Sequence, residues 1–286
     1  MNANAIAFGI EFETTLPNSD TTPIGPYHGG FQVPWLPDGW RAERDSSIRP
    51  ETMDRKGCEF VSPKLRGIEG LKQVEEAIDA INARGARVNA SCGLHVTIEW
   101  NGDAAALARL ISLVGNHERA IFASTGTRRR ERTTYTKQIK QYGDKDQAKN
   151  RCEADRYHLL NLTHLARGKN RIEFRAFAGT LNKTKVLGYL MMCLGLVELA
   201  LTTRRCAVWD YAKTAGTKSC WDRPGAGIGE TELTRLFYRL GWTKGWYKGE
   251  LRNKTYGEIA GEGSQRDWKG IKTKLLDLAR KYDRAG

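Results

Sequence analysis

The stretch FGIEFET, residues 8–14, sets two glutamates one residue apart inside an apolar strand pattern. Successive strand side chains point to opposite faces, so Glu11 and Glu13 project together, roughly 7 Å apart at Cα, while Ile10 and Phe12 face the other way. On a buried face two unpaired carboxylates repel, and one stays protonated. Arginine partners, solvent exposure or a divalent cation would each relieve that repulsion.

Three further strand-like segments carry ionisable residues that a plain core strand avoids. GCEFVSP, 57–63, holds Glu59 and is closed by Pro63. RVNASCGLHVTIEW, 87–100, holds His95 between Leu94 and Val96. NRIEFRAFAG, 170–179, alternates Arg171, Glu173 and Arg175 with Ile172 and Phe174, so the three charged groups share a face. Singly, a strand histidine is more often a satisfied core residue, and Arg-x-Glu-x-Arg a salt-bridged exposed row. Together, four glutamates, a histidine and two arginines suit Mg²⁺ or Mn²⁺ beside a bound phosphate or carboxylate. Metal beside arginine is the chemistry of phosphoryl transfer. The chain has no P-loop and no Gly-rich dinucleotide fingerprint, so any nucleotide is held by an unrelated fold.

Between these strands the pattern alternates irregularly. Residues 17–40 hold five of the eight prolines and read as a long loop. Ile68, Leu71, Val74, Ile78 and Ile81 recur at helical spacing up to Gly85, and a second amphipathic helix runs through DAAALARLISLVGNHERAIFAS, 103–124. Residues 125–151 are basic and too hydrophilic for a core. YHLLNLTHL, 157–165, reads as strand, and TKVLGYLMMCLGLVELAL, 184–201, as an apolar helix. Without a regular βαβ beat, an α+β layout around a largely antiparallel sheet is expected. Beyond residue 205 short helical pieces with glycine and tryptophan follow, which predicts a catalytic domain over 1–205 and a basic helical appendage over 206–286.

The 286 residues are 40% hydrophobic, enough for a folded core, and no apolar run approaches the ~20 residues of a membrane span. The first residues lack the basic and apolar regions of a secretory signal, and the six cysteines form no Cys-x-x-Cys pair. Reduced thiols in the cytoplasm are the expectation. The net charge of +13 divides into −4 over residues 1–123 and +6, +5 and +6 over 124–151, 152–205 and 206–286. That asymmetry suggests carboxylates kept for a cation and basic groups kept for an anion, or else a basic surface that serves solubility.

FGIEFE, RDSSI (44–48), GCEFVSPKLRGIEGL (57–71), NASCGLHVTI (89–98) and DRYHLLNLTHLARGKNRIEFRAFAGTL (155–181) stand in this order between about residues 5 and 200. They resemble the amidoligase family, within the glutamine synthetase-like and glutamate–cysteine ligase-like carboxylate–amine ligases. The resemblance implies a curved, largely antiparallel sheet flanked by helices, with the active site on its concave face. It implies ATP and Mg²⁺ (or Mn²⁺), used to turn a carboxylate into an acyl phosphate that an amine attacks. Amino-acid or peptide-like substrates follow from the same likeness.

Carried over by motif, Glu13 and Glu59 would hold one metal, and Glu11, His95 and Glu173 the other. Arg171 would stabilise the transferring phosphate, and Arg175 would grip a carboxylate or the acyl phosphate. Asn89 and Asn161 match polar positions that bind substrate or ATP, or else bond a neighbouring strand. Asp45, with Ser47 beside it, would bind the incoming ammonium and take its proton, or would cap a turn. Arg128, Arg130 and Arg132 form either a clamp over ATP or a solvated face. The family's Gly-x-His-x-His pattern is broken at Thr97, so a nucleotide contact from a second histidine is lost and an arginine of the 128–132 cluster is the expected substitute. Trp221, Trp242, Trp246 and Trp268 would stack on sugars or bases, or fill a small core. The competing reading is a nucleic-acid-binding protein, or a ligase that modifies an anionic polymer, driven by the basic half.

Overall fold

The computed structural model describes residues 6–204, 209, 231–242 and 268–285. Its strands are β1 (Ala7–Pro17), β2 (Phe31–Gln32), β3 (Arg41–Glu43), β4 (Arg55–Val61), β5 (Leu65–Arg66), β6 (Gly93–Glu99), β7 (Leu160–Asn161) and β8 (Arg171–Ala178). They form one sheet in the order β2-β3-β4-β1-β6-β8-β7, with β5 paired to the start of β1. Every pairing within it is antiparallel, as the irregular alternation of the sequence predicted.

The even-numbered residues of β1, from Phe8 to Leu16, face the helices, and Ile10, Phe12 and Leu16 are almost wholly buried. Behind them lie α1 (Gly67–Ala83), α2 (Ala104–Ala123) and α6 (Lys183–Thr202). Helix α1 stops where predicted, at Gly85, whose φ of +69° puts it in the left-handed region that glycine tolerates. Asp103 caps α2 by accepting from the Ala106 amide at 2.7 Å. Helix α6 departs from the expectation about apolar runs, since it is long and apolar enough to cross a membrane. In this fold most of it is buried, as the central helix of the core.

Between α2 and β7 run three pieces, α3 (Arg129–Arg132), a single 3₁₀ turn (Thr134–Thr136) and α4 (Lys145–Ala154). The expectation that this stretch is too hydrophilic for a core does not hold throughout. Arg130, Thr136, Ile139 and Ala148 are buried, and the carboxylate of Glu118 on α2 accepts from the Ile139 and Lys140 amides at 2.9 and 3.0 Å. YHLLNLTHL contributes only the two residues of β7 before turning into the short helix α5 (Thr163–Ala166).

Past residue 205, two helices are described, α7 (Glu232–Arg239) and α8 (Trp268–Arg284). Leu233, Leu236 and Phe237 of α7, and Ile271, Leu275 and Tyr282 of α8, join the same buried cluster as the sheet and α6. Gly188 makes the close approach to α8 possible, because a Cβ there would meet Ile271 and Leu275 side chains at 3.1–3.2 Å. Trp242 is buried and stacks on Phe237 at 5.1 Å, so it fills core and does not face a ligand. Trp221 and Trp246 lie outside the described residues.

Candidate active site

The register of the sheet explains how charged residues from distant segments meet. Glu13 lies opposite Glu59, and Glu59 lies opposite Glu43, so β1, β4 and β3 carry three carboxylates in one row. Glu11 pairs with His95 on β6, Thr97 with Glu173 on β8, and Glu173 with Asn161 on β7. The bulge between Leu94 and Val96 shifts β8 by one step against β6 and brings Glu173 alongside His95. His95 Nδ1 stands 3.2 Å from Glu11 Oε2 and 3.5 Å from Glu173 Oε1, and its Nε2 stands 3.3 Å from Glu13 Oε1.

Burial, assisted by the Arg175 charge, pushes the His95 pKa down to about 4. The ring is therefore neutral near pH 7 and has one N–H for two sides that both face carboxylates. One lone pair must then point at a carboxylate oxygen, an arrangement that a shared proton or a divalent cation relieves. Glu59 is 4% exposed and has no hydrogen-bond or ion-pair partner among the described residues. Burial first, and then the charges of Glu11 and Glu13, hold its carboxyl well above the usual range. Burial also raises Glu11, against the pull of Arg175 and Arg171. Two groupings bring ligand atoms within 4.8 Å of one another, Glu11 with Glu59 and His95, and Glu13 with Asp45 and Glu59. A buried, under-paired carboxylate cluster around a neutral imidazole is a donor set that fits hard divalent cations.

Two guanidinium groups enter this acidic floor. Arg175, 9% exposed, donates from Nη1 to Glu173 Oε1 at 2.6 Å, and its buried Nε has no partner. Arg130 donates to the Arg175 carbonyl at 2.7 Å. A Cβ on Gly93 would lie 3.0 Å from His95 Nε2 and 3.1 Å from Arg130 Nη2, so that glycine leaves room for the two to approach. Arg130 thus reaches His95 from the Gly93 end of β6, not from the Thr97 end where the broken motif pointed. The Gly93 amide donates to Glu13 Oε2 at 2.6 Å, and Asn161 donates to Glu173 while accepting from the Thr163 amide at 2.9 Å.

Other expected residues divide. Arg171 sits exposed at the rim, 3.3 Å from His164 Nδ1. Asp45 caps its own turn, accepting from the Ser47 amide at 2.6 Å, while its carboxylate also belongs to the acidic grouping. Asn89 lies in the turn before β6 and not on the strand. Its side chain bonds the Arg49 carbonyl at 2.8 Å and Ser91. Arg128 turns away to stack on Tyr282 at 4.4 Å, and Arg132 is exposed and borders none of the three cavities described below. The sequence reading missed Glu43, although the alternation of RAE in front of RDSSI was a faint signal for β3. It also missed Arg129, which borders the small cavity in place of its neighbours Arg128 and Arg132.

Three neighbouring cavities open over this floor, and Arg175 borders all of them. The largest, about 990 Å³, contains Glu11, Glu59, His95 and Glu173 and has Arg167, Lys169 and Arg171 at its edge. A second, about 770 Å³, lies beside Asp45 and Ser47. The third, about 490 Å³, is reached past Glu13, Asn89 and Arg130.

A family model described as "Putative amidoligase enzyme" matches residues 4–151, more than half of the chain. No curated protein matches. Among solved structures, the complex between prokaryotic ubiquitin-like protein Pup and its ligase PafA is similar at 10% identity and a TM-score of 0.44. That likeness covers 99% of this chain and 68% of the other.

Proposed function

The chain belongs to the amidoligase family, and from that premise we propose that it is an ATP-dependent carboxylate–amine ligase working through an acyl phosphate. The observation that supports this best is the in-register carboxylate row with neutral His95 at its centre and buried Arg175 at its edge. A substrate carboxylate oxygen attacks the γ-phosphorus of ATP, and ADP departs with the electrons of the broken P–O bond. The amine nitrogen then attacks the acyl carbon, and inorganic phosphate leaves with the C–O electrons.

Catalysis of this kind is mostly positioning and charge neutralisation. Arg175 is fixed by Glu173 and keeps a free Nε, so it orients the substrate carboxylate and then the acyl phosphate. Arg171, without a carboxylate partner among the described residues, balances charge on the transferring phosphoryl group from the rim. Asp45 receives the proton of the incoming ammonium, since only the neutral amine attacks. Asn161 positions Glu173. Glu11, Glu13, Glu59, His95 and Glu173 would hold Mg²⁺, which when bound neutralises the ATP phosphates. Mixing the full-length protein with Mg·ATP, amines and carboxylates tests the reading. ADP must appear only when both an acid and an amine are present, with a product whose mass is their sum less one water. ADP formation that is indifferent to both would sink it.

A further inference from the structure

The 770 Å³ cavity beside Asp45 has a lining unlike that of the acidic floor. Among the described residues only five large apolar or aromatic side chains are exposed, and three of them, Tyr27, Phe31 and Tyr135, border this one cavity. Tyr135 meets Tyr157 edge-on at 5.4 Å, the Arg156 guanidinium lies 5.1 Å from the Tyr157 ring centre, and Arg156 Nη1 donates to Tyr27 Oη at 2.7 Å. These contacts make one continuous wall that ties the proline-rich loop to the segment before β7. The charge of the lining is one-sided. Arg44, Arg49, Arg156 and Arg175 face Asp45 alone. Arg44 and Arg49 have no carboxylate partner among the described residues, and Arg175 brings a buried Nε with no partner.

Resting on the ligase reading, we propose that this cavity holds the acid substrate, and that the substrate is an acidic peptide segment with an apolar side chain. Carboxylates pair with the arginines, the apolar side chain lies between the rings, and the reacting carboxylate reaches Arg175 at the junction with the metal-site cavity. The size favours a segment of several residues over a single amino acid, since cavities of roughly 300–1,000 Å³ enclose drug-sized ligands. Four arginines against one aspartate disfavour a cationic amine here, so the amine meets Asp45 from the larger cavity, which Asp45 also borders. The nucleotide is better served by the larger cavity, which contains the carboxylate floor and Arg171.

The test uses fluorescence anisotropy of the full-length protein with a labelled five-residue peptide of alternating glutamate and leucine, ending in a free carboxylate. Its lysine-for-glutamate counterpart is run in parallel, and a fluorescent ATP analogue is titrated separately. The glutamate peptide is expected to bind at least tenfold more tightly than the lysine peptide. Arg44→Glu combined with Arg49→Glu, both at exposed positions, should remove that preference while the ATP analogue binds as before. Phe31→Ala should weaken the glutamate peptide several-fold. Equal binding of the two peptides overturns the proposal, as does loss of ATP-analogue binding in the arginine variant with the peptide unaffected. If the peptide fails and ATP-dependent ligation persists, only this assignment falls. If ATP turnover with acid and amine is absent altogether, the ligase reading falls with it.

Discussion

Glu59 shows most directly what a buried acidic floor costs. Its carboxyl is buried, lacks a partner among the described residues and is repelled by Glu11 and Glu13, so the folded chain favours its protonated form. A carboxyl raised in this way supports the fold below its ordinary pKa and withdraws that support as pH rises. Glu59→Gln should therefore raise the melting temperature in metal-free buffer at pH 8 by a few degrees, equivalent to about 1–2 kcal/mol. The same variant should lose most of the stabilisation that Mg²⁺ gives the wild-type protein by mass action. Differential scanning fluorimetry with and without Mg²⁺ reads both effects, and a destabilised metal-free variant would argue for a structural carboxylate. The two arginines of β8 divide by burial. Arg171→Ala removes an exposed side chain and should leave stability within about 0.5 kcal/mol while lowering kcat. Arg175→Ala would strand Glu173, which for buried pairs costs about 3–5 kcal/mol. Arg175→Lys is the usable variant, and its loss should appear in KM for the acid as well as in kcat.

At the scale of elements, strand register decides the site. Gly93→Ala on β6 is expected to fold, since the atoms its Cβ meets are the ends of His95 and Arg130 side chains. It should nevertheless cost about 10²-fold in kcat/KM, the penalty of displacing a positioned group by about an ångström. Activity unchanged in that variant would remove Arg130 from the account. Helix α2 carries a separate pH signature. Burial pushes Glu118 up to about 7 although it accepts two amides. Its stabilising contribution is complete below about pH 4.5 and is lost as pH rises through 7. A shift of that size is worth about 3 kcal/mol, so Glu118→Gln should melt on the order of 5 °C above wild type at pH 8 and level with it at pH 4. The charged strand positions were legible because a period of two on an apolar strand makes Glu11, Glu13, Glu173 and Arg175 conspicuous. Glu43 was not, because strands of two or three residues carry almost no periodicity, and Arg130 could be named only together with Arg128 and Arg132, because a run of arginines gives no sign of which one turns inward.

At the scale of the whole molecule, part of the basic charge is paired or turned inward among the described residues. In the basic stretch Arg130 is buried at the floor, Arg128 covers Tyr282, Lys137 pairs with Asp155 at 2.8 Å and Lys149 with Glu153 at 3.0 Å. Arg129, Arg132 and Arg151 remain exposed, and nothing among the described residues adds support to the nucleic-acid alternative. The tail's composition suggested a separable appendage, yet Ile271, Leu275, Leu278 and Tyr282 are buried in the common core. Composition cannot foretell this, because an amphipathic helix reads the same whether its apolar face meets its own segment or the main core. Exposing four such side chains costs about 6–12 kcal/mol, comparable with the whole stability of a typical domain. Truncation before residue 268 should therefore give insoluble or unfolded protein, and a soluble, active truncation would contradict the packing described.

On the proposed function, the carboxylate floor is a divalent-cation site serving ATP. Electron paramagnetic resonance of Mn²⁺ titrated into the full-length protein tests it most directly, because free Mn²⁺ gives a sharp signal that binding removes. At pH 8 the wild-type protein should bind at least one Mn²⁺ with ATP analogue present, and Glu13→Gln or His95→Ala should release it while remaining folded. A free-Mn²⁺ signal indistinguishable from that of buffer with the ATP analogue alone, at concentrations of protein and metal up to the millimolar range, would contradict the account.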